Sequence, residues 1–277
     1  MTRYTRSLVP PEQRIPLEEN KRKKLGYLPY KEMRCFETLA EDVAGTLILP
    51  LEKLDKVKIL SDMLGFHSGN YILTIGEMYC GSLDEIAEQS PHYVAEVPSK
   101  TTNSIRKTSI QSISTQRNKL KRTLVNRIPE LFKVCGEEVE DKAENERSLK
   151  DETTNSEKYL ADHIIGYPHV CFREIGFVSR KNTRSYRYVI SEDFLHSLVL
   201  SLLGTDKRLE LKKFMRALQQ RYNIFIDQAP DQGYDILQSD LNRNSKNLAV
   251  LLYQMGMLRH LSDACSYVVN PYLEDAL

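Results

Sequence analysis

Two groups of residues have the types and spacing to meet nucleic acid. The first is Asn242-Arg243-Asn244-Ser245-Lys246-Asn247, near the start of a helical pattern. Asn pairs with adenine and Arg with guanine on base edges, and a helix N-terminus favours phosphate. The second is the basic turn Arg180, Lys181, Arg184 and Arg187, set between two apolar segments. The expected contacts are therefore Arg180, Lys181, Arg184, Arg187, Arg243, Asn244 and Lys246. An ordinary polar first turn and an ordinary exposed hairpin carry similar residues, so DNA contact competes with a plain solvated surface.

Charge is uneven along the chain although its formal net value is only +1. Residues 101–135 hold eight basic side chains against the single acid Glu130. A solvated helix face explains this, and so does contact with a phosphate backbone or an acidic partner. The next stretch inverts the sign, with Glu137, Glu138, Glu140, Asp141, Glu144, Glu146, Asp151 and Glu152.

Catalytic signatures are missing. The chain has no phosphate loop, no GxGxxG, no GxSxG elbow and no HExxH. His163, His169 and Cys171 give H-x5-H-x-C, which matches no standard zinc spacing. His67 and His92 have no partner motif. Asp227, Asp231 and Lys207 make a poor nuclease pattern. The expectation is a protein without cofactor or metal that acts by binding, with a metal-dependent nuclease ranked last.

The elements that must position these residues follow from periodicity. Pro10, Pro11, Pro16 and Pro29 mark an extended N-terminal arm. Helices are predicted over 30–44, 51–64 (ending at Gly65), 66–78, 83–88 and 104–134, the last kinked or split at Pro129. The inward stripes are Met33, Phe36, Leu39 and Val43 in the first, and Leu54, Val57, Leu60 and Leu64 in the second. Val170–Val178 and Tyr186–Ile190 read as a β-hairpin around the basic turn. Helices then follow over 192–203 with Ser191 as N-cap, 209–222 and 240–257, and a strand pair around Leu258–Leu261 and Ser266–Val269 closes the chain.

The fold class expected is mostly α (α+β): a helical N-terminal domain over 1–135, an acidic linker over 136–160 and a C-terminal domain over 161–277. The helices and closing hairpin of that last unit resemble winged-helix domains in general. The resemblance implies nucleic-acid binding or protein docking, since winged helices serve both. Five cysteines without a CxxC, an N-terminus without an apolar core and no long apolar window point to the cytoplasm and away from membranes. The expected role is a non-enzymatic nucleic-acid-binding (DNA) or adaptor subunit of a multi-protein bacterial assembly, of the defence or DNA-processing kind. A protein–protein scaffold is the alternative.

Overall fold

The computed structural model describes residues 34–80, 90–98, 103–136, 163–181, 183–230, 234–262 and 265–273. The predicted arm over 1–29, the predicted helix over 83–88 and nearly all of the acidic segment lie outside them. The described residues are mostly helical with a few small sheets. One apolar core draws on both sides of the acidic segment, from Leu49, Phe66 and Leu120 to Phe194, Leu252 and Val268.

Helix α1 spans Arg34–Ile48 and α2 spans Lys53–Met78. The predicted break at Gly65 is absent, and α2 runs through it. Gly65 and Gly69 serve a close approach. A Cβ on Gly69 would lie 2.6 Å from the Phe172 ring, and one on Gly65 would lie 2.9 Å from Ile175. The predicted stripe on α2 is also corrected: Leu54 and Val57 are 83% and 61% exposed, while Ile59, Met63, Phe66 and Leu73 face the core. On α1 the buried positions are Thr38, Asp42 and Thr46, and Phe36, Leu39 and Val43 are half-buried. A polar network, not an apolar stripe, decides that face.

Strand β1 is Tyr93–Val94, and helix α3 spans Ser104–Gly136 without a break at Pro129. Its predicted seam is buried at Ile113, Leu120 and Leu124. Helix α4 covers 163–174, where the sequence reading began a strand at Val170. Val, Cys and Phe there suit a strand locally. However, Ile165, Pro168, Phe172 and Ile175 recur at helical spacing and bury one face against the α2 glycines. Gly176, with φ of 77°, ends the helix, and the Phe177 N–H returns to the Phe172 carbonyl at 2.7 Å.

The basic turn is then held by a short antiparallel pair, β2 (Val178–Ser179) and β3 (Arg187–Tyr188). Helix α5, Glu192–Leu203, starts at Ser191, whose hydroxyl accepts the Phe194 N–H at 3.2 Å. Strand β4 (Arg208–Glu210), helix α6 (Leu211–Tyr222), strand β5 (Ile224–Phe225), helix α7 (Gln238–Gln254) and strands β6 (Leu258–Ser262) and β7 (Cys265–Val269) follow. Strands β4, β7 and β6 form an antiparallel sheet in that order, and β1 pairs in parallel with β5.

Candidate nucleic-acid interface

The basic turn is built from below. Arg187 is buried, and its Nη1 donates to the Lys181 carbonyl at 2.8 Å and to the Thr183 hydroxyl at 3.1 Å. The Thr183 hydroxyl donates to the Ser185 carbonyl, and the Lys181 N–H to the Ser179 hydroxyl. Arg180, Lys181 and Arg184 are left exposed on a turn whose backbone is fastened. Arg187 is thus an anchor and lies inside, away from the surface position expected of a phosphate contact.

What anchors Arg187 is Glu96. This carboxylate has no exposed surface and accepts from Arg187 Nε at 2.6 Å and from Arg106 Nη2 at 2.7 Å. Arg106 opens α3, so one buried acid joins the turn to the basic helix. A buried charge is tolerable only when paired and hydrogen-bonded in this way. Glu96 also pairs its backbone with β3, between the Tyr188 carbonyl and the Ile190 N–H.

The start of α7 flanks the same segment on its other side. Asn244 is buried, donating to the Ala95 carbonyl at 3.0 Å and the Ile226 carbonyl at 2.9 Å and accepting the Val97 N–H at 2.8 Å. Its amide is occupied, so it ties α7 to two backbone segments, 95–97 and the one at Ile226, and lies inside instead of at the surface. Arg243 and Lys246 are exposed. Asp240 accepts the Ser104 N–H at 2.8 Å and the Ser104 hydroxyl at 2.7 Å, and these bonds hold its carboxyl below the usual range. Its charge sits where α3 and α7 both begin and offsets the pull of either N-terminus on phosphate.

On α3, Lys107, Arg117, Lys121 and Arg122 are exposed, Lys119 pairs with Glu77, and Arg106 is interior. Side chains from residue 125 onward on this helix lie outside the described set. Beside the turn, Tyr186 gathers further basic groups. The Arg180 guanidinium lies 5.8 Å from its ring centroid, and the His169 ring meets it edge-on at 4.4 Å.

A second polar centre escaped the sequence reading. Asp42, fully buried, accepts from His67 Nε2 at 2.7 Å, Arg221 Nη2 at 2.6 Å and the Tyr222 hydroxyl at 2.8 Å. It ties α1 to α2 and α6. Its partners arrive from 25 to 180 positions away, so no local spacing announces them. Among the described residues no three His, Cys, Asp or Glu side chains converge to hold a metal. His163, His169 and Cys171 sit on α4, and Asp231 lies outside the described residues.

Residues 168–272 match the family described as methylation-associated defense system protein MAD7. The match covers less than half of the chain, and it includes the basic turn, α7 and the closing sheet. It is consistent with a role in defence. No curated protein and no solved structure matches the chain. No helix among the described residues is long and apolar enough to cross a membrane.

Proposed function

We propose that this chain is a non-enzymatic nucleic-acid-binding component of a defence assembly, with DNA as the first candidate ligand. The carrying observation is the fastened basic turn within the matched stretch. Arg180, Lys181 and Arg184 stand in solvent while the buried Glu96–Arg187 pair fixes the backbone beneath them. Preformed basic loops lose little freedom on binding, which favours phosphate contact. Arg243 and Lys246 are exposed on α7, whose Asn244 holds the same 95–97 segment, and are the further contacts of this reading. The element order α5, β4, α6, β5, α7, β6, β7 with its β4-β7-β6 sheet supports a winged-helix reading, in which α7 is the recognition helix and β5 lies outside that sheet.

Electrophoretic mobility with a salt titration tests this. Binding should fall steeply with salt, and Arg180→Ala with Lys181→Ala should flatten the slope by about one per lost contact. Unmutated protein that binds no duplex more tightly than about 10⁻⁴ M at moderate salt ends the reading.

One observation favours protein docking as a second reading. The last turns of α7 expose Val250 (55%) and Tyr253 (62%), and Leu261 on β6 is exposed as well. Apolar surface there suits a protein partner better than a phosphate backbone. Val250→Asp with Tyr253→Ser should abolish co-purification with an assembly partner under this reading and leave DNA binding unchanged.

A further inference from the structure

A cavity of about 180 Å³ lies between α2, α3 and α4. Its lining includes Ile113, Phe172 and Tyr188 together with Arg117, His169 and Arg173. Pockets that enclose a drug-sized ligand measure about 300 Å³ or more, so this space admits one small ring system and leaves the rest of a ligand at the mouth. Phe172 and Tyr188, whose rings meet edge-on with centroids 6.1 Å apart, add aromatic carbon to the apolar side of the lining.

The polar groups are strongly of one sign. Arg117 is exposed and makes no ion pair among the described residues. Arg173 is exposed and meets the exposed Glu174 at 3.0 Å and the Tyr186 hydroxyl, surface contacts weak enough for a phosphate to displace. His169 carries a buried Nε2 with no hydrogen-bond partner among the described residues. Burial, and then the charges of Arg117 and Arg173, hold its imidazole neutral. Two guanidiniums beside a buried histidine nitrogen, with no carboxylate in the cavity lining, leave room there for negative charge. The cavity adjoins the basic turn through Tyr186, which touches both His169 and Arg180.

We propose that this cavity is a nucleotide site. Arg117 and Arg173 hold the phosphate, the Phe172–Tyr188 side receives the base, and His169 Nε2 completes the polar contacts. The choice of a nucleotide rests on the nucleic-acid reading above. The ligand is either a free mononucleotide or an unstacked nucleotide at the end of a strand, and the two sources separate by experiment.

The full-length chain is titrated calorimetrically with AMP, with a 5′-phosphorylated oligothymidylate and with a blunt duplex. The unmutated protein, Arg117→Ala with Arg173→Ala, and Arg180→Ala with Lys181→Ala are compared. Both altered pairs are exposed, so melting temperatures should match the unmutated protein. Saturable AMP binding weakened about tenfold or more in the Arg117/Arg173 variant, and unchanged in the turn variant, is the expected result. The ring ¹⁵N signals of His169, assigned with His169→Gln, should move on adding AMP. Oligonucleotide binding weakened by both variants assigns the site to a strand end. AMP binding without oligonucleotide or duplex binding assigns it to a free nucleotide and removes the nucleic-acid reading alone. DNA binding that persists in the Arg117/Arg173 variant, with no AMP binding, overturns the nucleotide site and leaves the nucleic-acid reading intact. Absence of all binding overturns both.

Discussion

Glu96 and Arg187 are 91 positions apart in sequence and meet at 2.6 Å in the interior, carboxylate to Nε. Arg106 completes the arrangement from the other side. Two buried guanidiniums therefore share one carboxylate. Glu96→Gln should destabilise the fold by about 3–5 kcal/mol, because it removes the negative charge that both buried guanidiniums face. Denaturant unfolding measures the change. Arg187→Ala should likewise lower stability. Near-wild-type stability of Arg187→Ala combined with a lower salt slope would mean that this arginine faces phosphate after all.

Alkaline pH should weaken the fold through two phenols. Burial, then the Glu77 carboxylate, holds Tyr188 protonated well above the ordinary tyrosine range. Burial, then Asp42, does the same for Tyr222. An unfolded tyrosine loses its proton near pH ~10. Above that the unfolded chain releases protons that the folded chain keeps, so stability is full below pH ~10 and falls as pH rises towards the folded values. Each phenol contributes a slope of about 1.4 kcal/mol per pH unit. Tyr222→Phe should cost about 1.5–3 kcal/mol at pH 8 through the lost bond to Asp42, and should shed about one proton's worth of the alkaline slope. Urea midpoints from pH 8 to 11 read both effects. An unchanged slope in the variant would show that Tyr222 does not hold its proton.

The acidic segment offers a test of the proposed division of the chain. Its composition predicts a first proteolytic cut between 137 and 152. The core that joins Phe66 and Leu120 to Phe194 and Leu252 then predicts that the two pieces stay together. Gel filtration of the nicked protein should give one peak, with two bands on a denaturing gel. Separation of the bands on the column would mean two independently folded domains.

What the sequence made legible follows from distance along the chain. Helices α5, α6 and α7 were readable because Phe194, Leu198, Phe214, Leu218, Leu248 and Leu252 repeat at helical spacing, and because Ser191 and Gly204 act locally as caps. The basic turn was readable for the same reason, although its hairpin is only two residues deep on each side. Arg187 and Asn244 looked like surface residues because their partners, Glu96 and Ala95, lie in a segment that reads as loop. Asp42 and His67 each look unremarkable alone. Helix α4 was hidden by a β-prone run whose burial is decided by glycines on another helix.

Those glycines supply a final test of opposite signs. Alanine is favoured over glycine inside a helix by about 0.8–1 kcal/mol, so propensity alone predicts that both Gly69→Ala and Gly166→Ala stabilise. Around Gly166, on α4, nothing lies within 4 Å of an added Cβ, and the gain should appear in full. At Gly69 the Cβ would meet three atoms of the Phe172 ring between 2.6 and 3.1 Å. That ring is itself packed against Phe66, Tyr93 and Phe177, which hold it against α2. Overpacking of this kind costs about 1–3 kcal/mol and outweighs the propensity gain. Gly69→Ala should therefore destabilise, and Phe172→Leu should make the second substitution less harmful in a double-mutant cycle by giving the methyl room. Stabilisation by Gly69→Ala would mean that α2 and α4 do not pack this closely, and the helix assigned to 163–174 would lose its main packing partner.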